Sequence, residues 1–196
     1  MLTAAYRISL VSLVFTLVAG SCAIAVGALA GSLVLVTFGA IGLLDAIGSA
    51  TLIVHFRHAL HRDALSARHE GIAMAVVTIG MAAIGLATMA DSAYRLATKA
   101  GGGTSIVGIV IAGVSVIVLA ALARGKHRIA PHVPSPALRA DGWVSALGAM
   151  LALVTLLGTA LQKGLGWWWL DPTAAIAVAS GALVMSVLLR REAMAD

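Results

Sequence analysis

Apolar residues along this chain do not recur with a helical or a strand period; they fill whole stretches of about 20 residues. Six such stretches stand out, at about 8–30, 33–54, 71–90, 104–123, 143–163 and 172–189. About 20 apolar residues in an α-helix are what it takes to cross about 30 Å of hydrocarbon. Each stretch is rich in Ala, Leu, Val, Ile and Gly and is apolar on every face, where an outer-membrane strand would alternate over about 10 residues. The pattern predicts an all-α polytopic membrane protein, a single domain of six transmembrane helices over residues 1–196. No soluble domain is expected after the sixth helix. The many small residues suit close helix packing, which in lipid has no water-driven force behind it.

Composition agrees and narrows the class. Of 196 residues 61% are hydrophobic and 11% charged, with a mean hydropathy of +1.04; soluble domains run near 45–50% apolar and about 25% charged. That excludes a soluble enzyme, a disordered chain and a disulfide scaffold. The lone Cys22 forms no internal disulfide and reads as a small packing residue. The first stretch is too long for a cleaved signal peptide and reads as a retained span.

The net charge of +5 would raise nucleic acid as a partner in a soluble protein. Here the basic residues lie in the short connections, where they set orientation, and no nucleic-acid partner is expected. Arg7, Arg57, Arg62, Arg68, Arg124, Lys126, Arg128, Arg139, Arg190 and Arg191 fall on one side, ten of the 13 Lys and Arg; Arg95, Lys99 and Lys163 fall on the other. Both termini are therefore expected in the cytoplasm, in a multi-pass protein of the cell membrane. The even number of spans agrees. Gly101–Gly103 reads as a flexible outer loop, since no strand precedes it and no Lys-Ser/Thr follows. The segment PHVPSP (131–136) reads as a stiff cytoplasmic connection.

Candidate chemistry centres on intramembrane acids, which are costly in hydrocarbon and ask for a reason. Asp45 is the acid at mid-span in LVLVTFGAIGLLDAIGSATLIV. It must face the bundle interior, where it pairs with a neighbouring helix, binds a cation or carries a proton. Asp141 opens the fifth span and either caps that helix or lines a mouth leading to Asp45. Asp91 reads as a solvated boundary residue. His55, His58 and His61 follow the second span at spacings of three and form one helical ridge. Imidazoles beside Asp63, His69 and Glu70 suit zinc-like ions, but Arg57 and Arg62 intervene and no Cys or tight His pair completes a tetrahedral site. The ridge is either a solvated helix or a capture surface for metal. Trp167–Trp169 read as an interfacial anchor, with Asp171 capping the sixth helix and Pro172 at its first position.

Three segments carry a resemblance. GSLVLVTFGAIGLLD (31–45), SPALRADGWVSALGAMLALVTLLG (135–158) and WWWLDPTAAIAVA (167–179) resemble, in order, the second, fifth and sixth spans of the cation diffusion facilitator family. The resemblance implies a secondary transporter exporting a divalent metal cation (Zn, Co, Fe or Mn) from the cytoplasm by proton antiport. The lipid bilayer and the metal ion are its partners, with a homodimer as a candidate assembly. It implies no permanently bound cofactor and no enzyme activity. The family's four ligand positions, two per helix one turn apart, fall on Ile41 and Asp45 and on Val144 and Gly148. Of these only Asp45 has a ligating side chain. Asp141, one turn before Val144, is the candidate second carboxylate, leaving water, backbone or a second subunit to complete the site. The alternative is a relative that has lost transport and acts as a structural or regulatory membrane protein.

Overall fold

The computed structural model describes residues 2–61, 67–132 and 136–195. Six α-helices follow one another: α1 (Leu2–Ala30), α2 (Leu33–His61), α3 (Ala67–Thr98), α4 (Ile106–Ile129), α5 (Pro136–Leu165) and α6 (Leu170–Ala195). No strand occurs among the described residues. The six expected stretches lie almost wholly within these helices, most of which extend a turn or more beyond the apolar run. Among the described residues α1, α2, α4, α5 and α6 are long and apolar enough to cross a membrane. The expected 71–90 span falls within α3, whose first turns include side chains outside the described residues.

Helix ends follow local chemistry. Gly31 (φ 71°) and Gly166 (φ 68°) close α1 and α5 in the left-handed region that glycine enters without a Cβ penalty. Ser105 caps α4, its hydroxyl accepting from the Gly108 amide. Pro136 opens α5, where its missing N–H costs nothing. Of the PHVPSP segment, Pro131 and His132 end a short 3₁₀ turn (Ala130–His132), and 133–135 lie outside the described residues.

The helices close a ring: α1 packs on α2, α2 on α3, α3 on α6, α6 on α5, α5 on α4 and α4 on α1, with α2 also reaching across to α5 and α6. The α1–α2 contact is backbone on backbone. A Cβ on Gly39 would lie 2.6 Å from the Gly20 carbonyl, and one on Gly27 would lie 2.8 Å from the Val36 amide.

An apolar core that includes Val34, Phe38, Met81, Leu151 and Val178 fills the bundle, but the outer surface is aliphatic too and many hydroxyls are buried. Val11, Val14, Val18, Val110, Ile117, Met150 and Val184 face outward, while Ser9, Ser12, Thr16, Ser115, Ser145, Thr155 and Thr159 are buried. Aliphatic belts are at home in lipid, and hydroxyls are at home where other helices or backbone carbonyls accept their bonds. Thr155 and Thr159, for example, donate to carbonyls one turn back. Cys22 is exposed on α1, so the packing role expected for it is not the one it has.

Candidate functional site

One cavity, of about 40 Å³, lies inside the ring, and every helix contributes to its wall: Phe15 and Thr16 from α1, Ile41 and Asp45 from α2, Met81 from α3, Ser115 and Leu119 from α4, Val144, Leu147 and Gly148 from α5, and Ala182 and Met185 from α6. Space of that size holds more than one water-sized occupant. All four positions singled out by resemblance, Ile41, Asp45, Val144 and Gly148, converge on this wall. The spacing of four explains why: one turn of helix returns each pair to the same face. Only Asp45 brings a charge to the lining. Ser115 brings a fully buried hydroxyl with no hydrogen-bond partner among the described residues. Ser49, one turn beyond Asp45, is likewise buried and unpartnered.

Beside the cavity lies a residue that the sequence places among the basic residues of the connection after the fourth span. Lys126 continues α4 inward and is 0% exposed, the only buried Lys or Arg among the described residues. Its ammonium lies 2.6 Å from Asp141 Oδ2 and donates to Ser12 Oγ at 2.9 Å and Ser145 Oγ at 2.8 Å. Two hydrogen bonds to hydroxyls and one close ion-pair contact thus surround the ammonium, the carboxylate contact being one of charge and distance and not of hydrogen-bond direction. Asp141 is 7% exposed and stands in the second turn of α5, which begins at Pro136, so it does not cap that helix. Its partner is a lysine. Asp45 feels the charges of both Asp141 and Lys126, so the cavity and the ion pair form one electrostatic unit.

The signal for Lys126 was present in the spacing. Ala112, Ser115, Leu119, Leu122 and Lys126, all buried, follow one another at intervals of 3, 4, 3 and 4 residues, the stripe of a single helix face. The run RGKHR (124–128) masks it by its charge. Within that run Arg124 is exposed, and His127 stacks edge-on with Trp143, ring centres 5.0 Å apart, its Nδ1 lying 2.8 Å from the Ala123 carbonyl.

The opposite end of the bundle is held by another acid. Asp171 is 0% exposed and lies inside the first turn of α6, yet its carboxylate serves α2: it accepts from Ser32 Oγ (2.5 Å), the Leu33 amide (2.8 Å) and the Val34 amide (3.4 Å). The expected cap on α6 is not there: α6 begins at Leu170, so Asp171 and Pro172 lie within its first turn, and the carboxylate caps α2 instead. Arg95 joins the same end, donating to Asp91 at 3.0 Å and to the Gly31 carbonyl at 2.8 Å. The glycine loop is tied down there, Gln162 donating to the Gly102 carbonyl. Trp167 and Trp169 stack at 5.3 Å with partly exposed rings.

The side chains of His55, His58 and His61, with Asp63, His69 and Glu70, lie outside the described residues. Among the described residues no three His, Cys, Asp or Glu side chains gather into a metal-binding group. Asp45 and Asp141 are brought near each other but are separated in role, one lining the cavity and one held by Lys126.

The family model for the cation efflux transmembrane domain matches residues 9–196, nearly the whole chain. No curated protein matches it.

Proposed function

The chain belongs to the cation efflux family, a family of multi-pass cation transporters, and on that premise we propose that it exports a divalent metal cation, of the Zn, Co, Fe or Mn group, across the cell membrane by exchange with protons. The observation that carries this reading is the central cavity, walled by all six helices, with Asp45 as its one charged lining residue. A carboxylate at that depth is expensive unless a cation or proton keeps it company, and exchange between the two is the elementary step of an antiporter. Asp45 is the ligand and proton carrier at the membrane centre. Asp141 is the second carboxylate on the path, and Ser115 adds an oxygen donor to the cavity wall. With both termini in the cytoplasm, the basic end of the bundle faces inward. His55, His58 and His61 are then the capture ridge at the inner surface. A homodimer would supply further oxygen ligands.

Flux of Zn²⁺, Co²⁺, Fe²⁺ and Mn²⁺ into vesicles holding the purified protein, with internal pH recorded, tests this directly. Asp45→Asn keeps volume and hydrogen bonding and removes the charge. It abolishes metal flux and the accompanying proton movement while the protein still folds. Flux equal to that of the unaltered protein would end the mechanism.

A second reading draws on a specific observation. Asp141, the candidate second ligand, is already engaged by Lys126 at 2.6 Å, and Ile41, Val144 and Gly148 offer no ligating side chain. A relative that has lost transport and serves a structural or regulatory role would keep such a permanent pair. In that case Asp45→Asn is tolerated, because an amide costs less to bury than an ionisable group.

A further inference from the structure

Buried lysines in a membrane bundle normally reach for the interface, their stems long enough to carry the ammonium to water. Lys126 does the opposite. Its ammonium is enclosed by three oxygens from two helices, Ser12 on α1 and Asp141 and Ser145 on α5, with its own stem rising from a third, α4. One carboxylate and two hydroxyls at 2.6–2.9 Å make an oxygen cage of the kind that holds a free cation. Here the cation is covalently attached to the cage wall.

We infer that Lys126 is a tethered counter-cation that occupies Asp141 in place of the cargo, so that a transported cation gains Asp141 only by displacing the ammonium. This rests on the reading of Asp45 and Asp141 as stations of one cation path. The charges fit it. Two carboxylates and one ammonium leave a single negative charge for the cargo, where two carboxylates alone would leave two. A tethered competitor also acts at high effective concentration, because it is never lost to solution. Lys126 therefore weakens cation binding and sets which ions succeed, since a doubly charged ion pulls harder on Asp141 than the single charge it replaces. Lys126 is a specificity-determining residue that binds no cargo itself.

The test is Zn²⁺ titration of the purified full chain in detergent, with folding followed by size exclusion and thermal unfolding. Lys126→Met frees Asp141, and Zn²⁺ affinity rises by about tenfold, the usual scale of coupling between a site and its competitor. Lys126→Arg keeps the charge and stays near the unaltered affinity. Lys126→Met with Asp141→Asn loses the gain. Because Lys126→Met leaves a buried carboxylate alone, a second route avoids that cost: Ser12→Ala with Ser145→Ala removes two of the three oxygens, keeps both charges and loosens the ammonium, raising affinity by about threefold. Zn²⁺ affinity in the serine double variant, or in a folded Lys126→Met protein, equal to or below the unaltered value would overturn the inference. Asp45→Asn separates the two readings. Unchanged Zn²⁺ binding in Asp45→Asn overturns the cation path itself; binding lost in Asp45→Asn but not raised in the other variants overturns the counter-cation alone.

Discussion

Asp171 and Asp141 are both buried acids, near opposite ends of the bundle, and they are satisfied in different currencies. Asp171 accepts from two backbone amides and a serine hydroxyl, all at the start of α2. Those donors are fixed by the helix itself, and the positive end of the α2 dipole adds to their pull. Asp141 has one charged partner at the end of a flexible four-carbon stem, which is in turn steadied by Ser12 and Ser145. A carboxylate bonded to backbone cannot exchange its partner without unwinding a helix. One bonded to a lysine can exchange it by a rotamer change. The tryptophan end of the bundle is built as a rivet and the lysine end as a clasp.

The sharpest way to break this comparison is to remove the partner of each acid. Lys126→Met leaves Asp141 buried without a counter-charge and should cost about 3–5 kcal/mol of stability, whereas Lys126→Met with Asp141→Asn should recover most of that loss. Thermal unfolding of the two proteins side by side reads the difference. If the single variant were as stable as the double, the pair would not be the buried unit described above.

At the other end Asp171→Ala strands the Ser32 hydroxyl and the Leu33 and Val34 amides together. Unfolding should be easier by about 2–3 kcal/mol, the cost of leaving buried donors unmade. Unlike Lys126→Met, it has no single compensating substitution, because its partners are backbone. A second-site change that rescued it fully would show that Asp171 is not the rivet of this end. Arg95→Ala, by contrast, removes an ion pair with Asp91 whose side chains are 25% and 44% exposed and a solvent-exposed hydrogen bond to the Gly31 carbonyl, and should cost no more than about 1 kcal/mol. A loss as large as that of Asp171→Ala would move Arg95 into the rivet.

The same contrast explains what could be read in the sequence. The spans were legible because membrane crossing imposes a length and a composition on each helix separately, so no partner need be known. Asp45 was legible for the same reason: its depth follows from its own span. Partners were not. Asp171 was expected to cap α6 because a Pro follows it, but its partners lie 137–139 residues away in sequence, and only the folded ring brings them together. Lys126 counts, by sequence, among the basic residues of the connection after the fourth span, although the stripe from Ala112 through Leu122 already points inward. Charge alone says nothing about which face of a helix a residue occupies; its interval from the last buried residue does. Asp141 shows the complementary error, since α5 starts five residues earlier than its apolar run suggested a cap would allow. The cavity was legible only as four positions on two helices, and its other walls were not.

Ser115 gives the smallest effect on stability and the finest test of the comparison. Its hydroxyl is fully buried on the cavity wall, on the same buried face of α4 as Lys126, to whose ammonium Ser12 and Ser145 are each hydrogen-bonded. Ser115 has no such partner among the described residues. Ser12→Ala and Ser145→Ala therefore each remove a bond, while Ser115→Ala removes a desolvated group that has no partner among the described residues. Its stability should stay within about 0.5 kcal/mol of the unaltered value or rise slightly. If the hydroxyl exists to meet cargo beside Asp45, Zn²⁺ affinity should fall by a few-fold, about the worth of one hydrogen bond or weak ligand, with stability unmoved. That dissociation of binding from stability is what a site residue shows and a packing residue does not. A loss of stability with unchanged Zn²⁺ binding would place Ser115 with the structural hydroxyls and leave the proposed cation chemistry of the cavity to Asp45 alone.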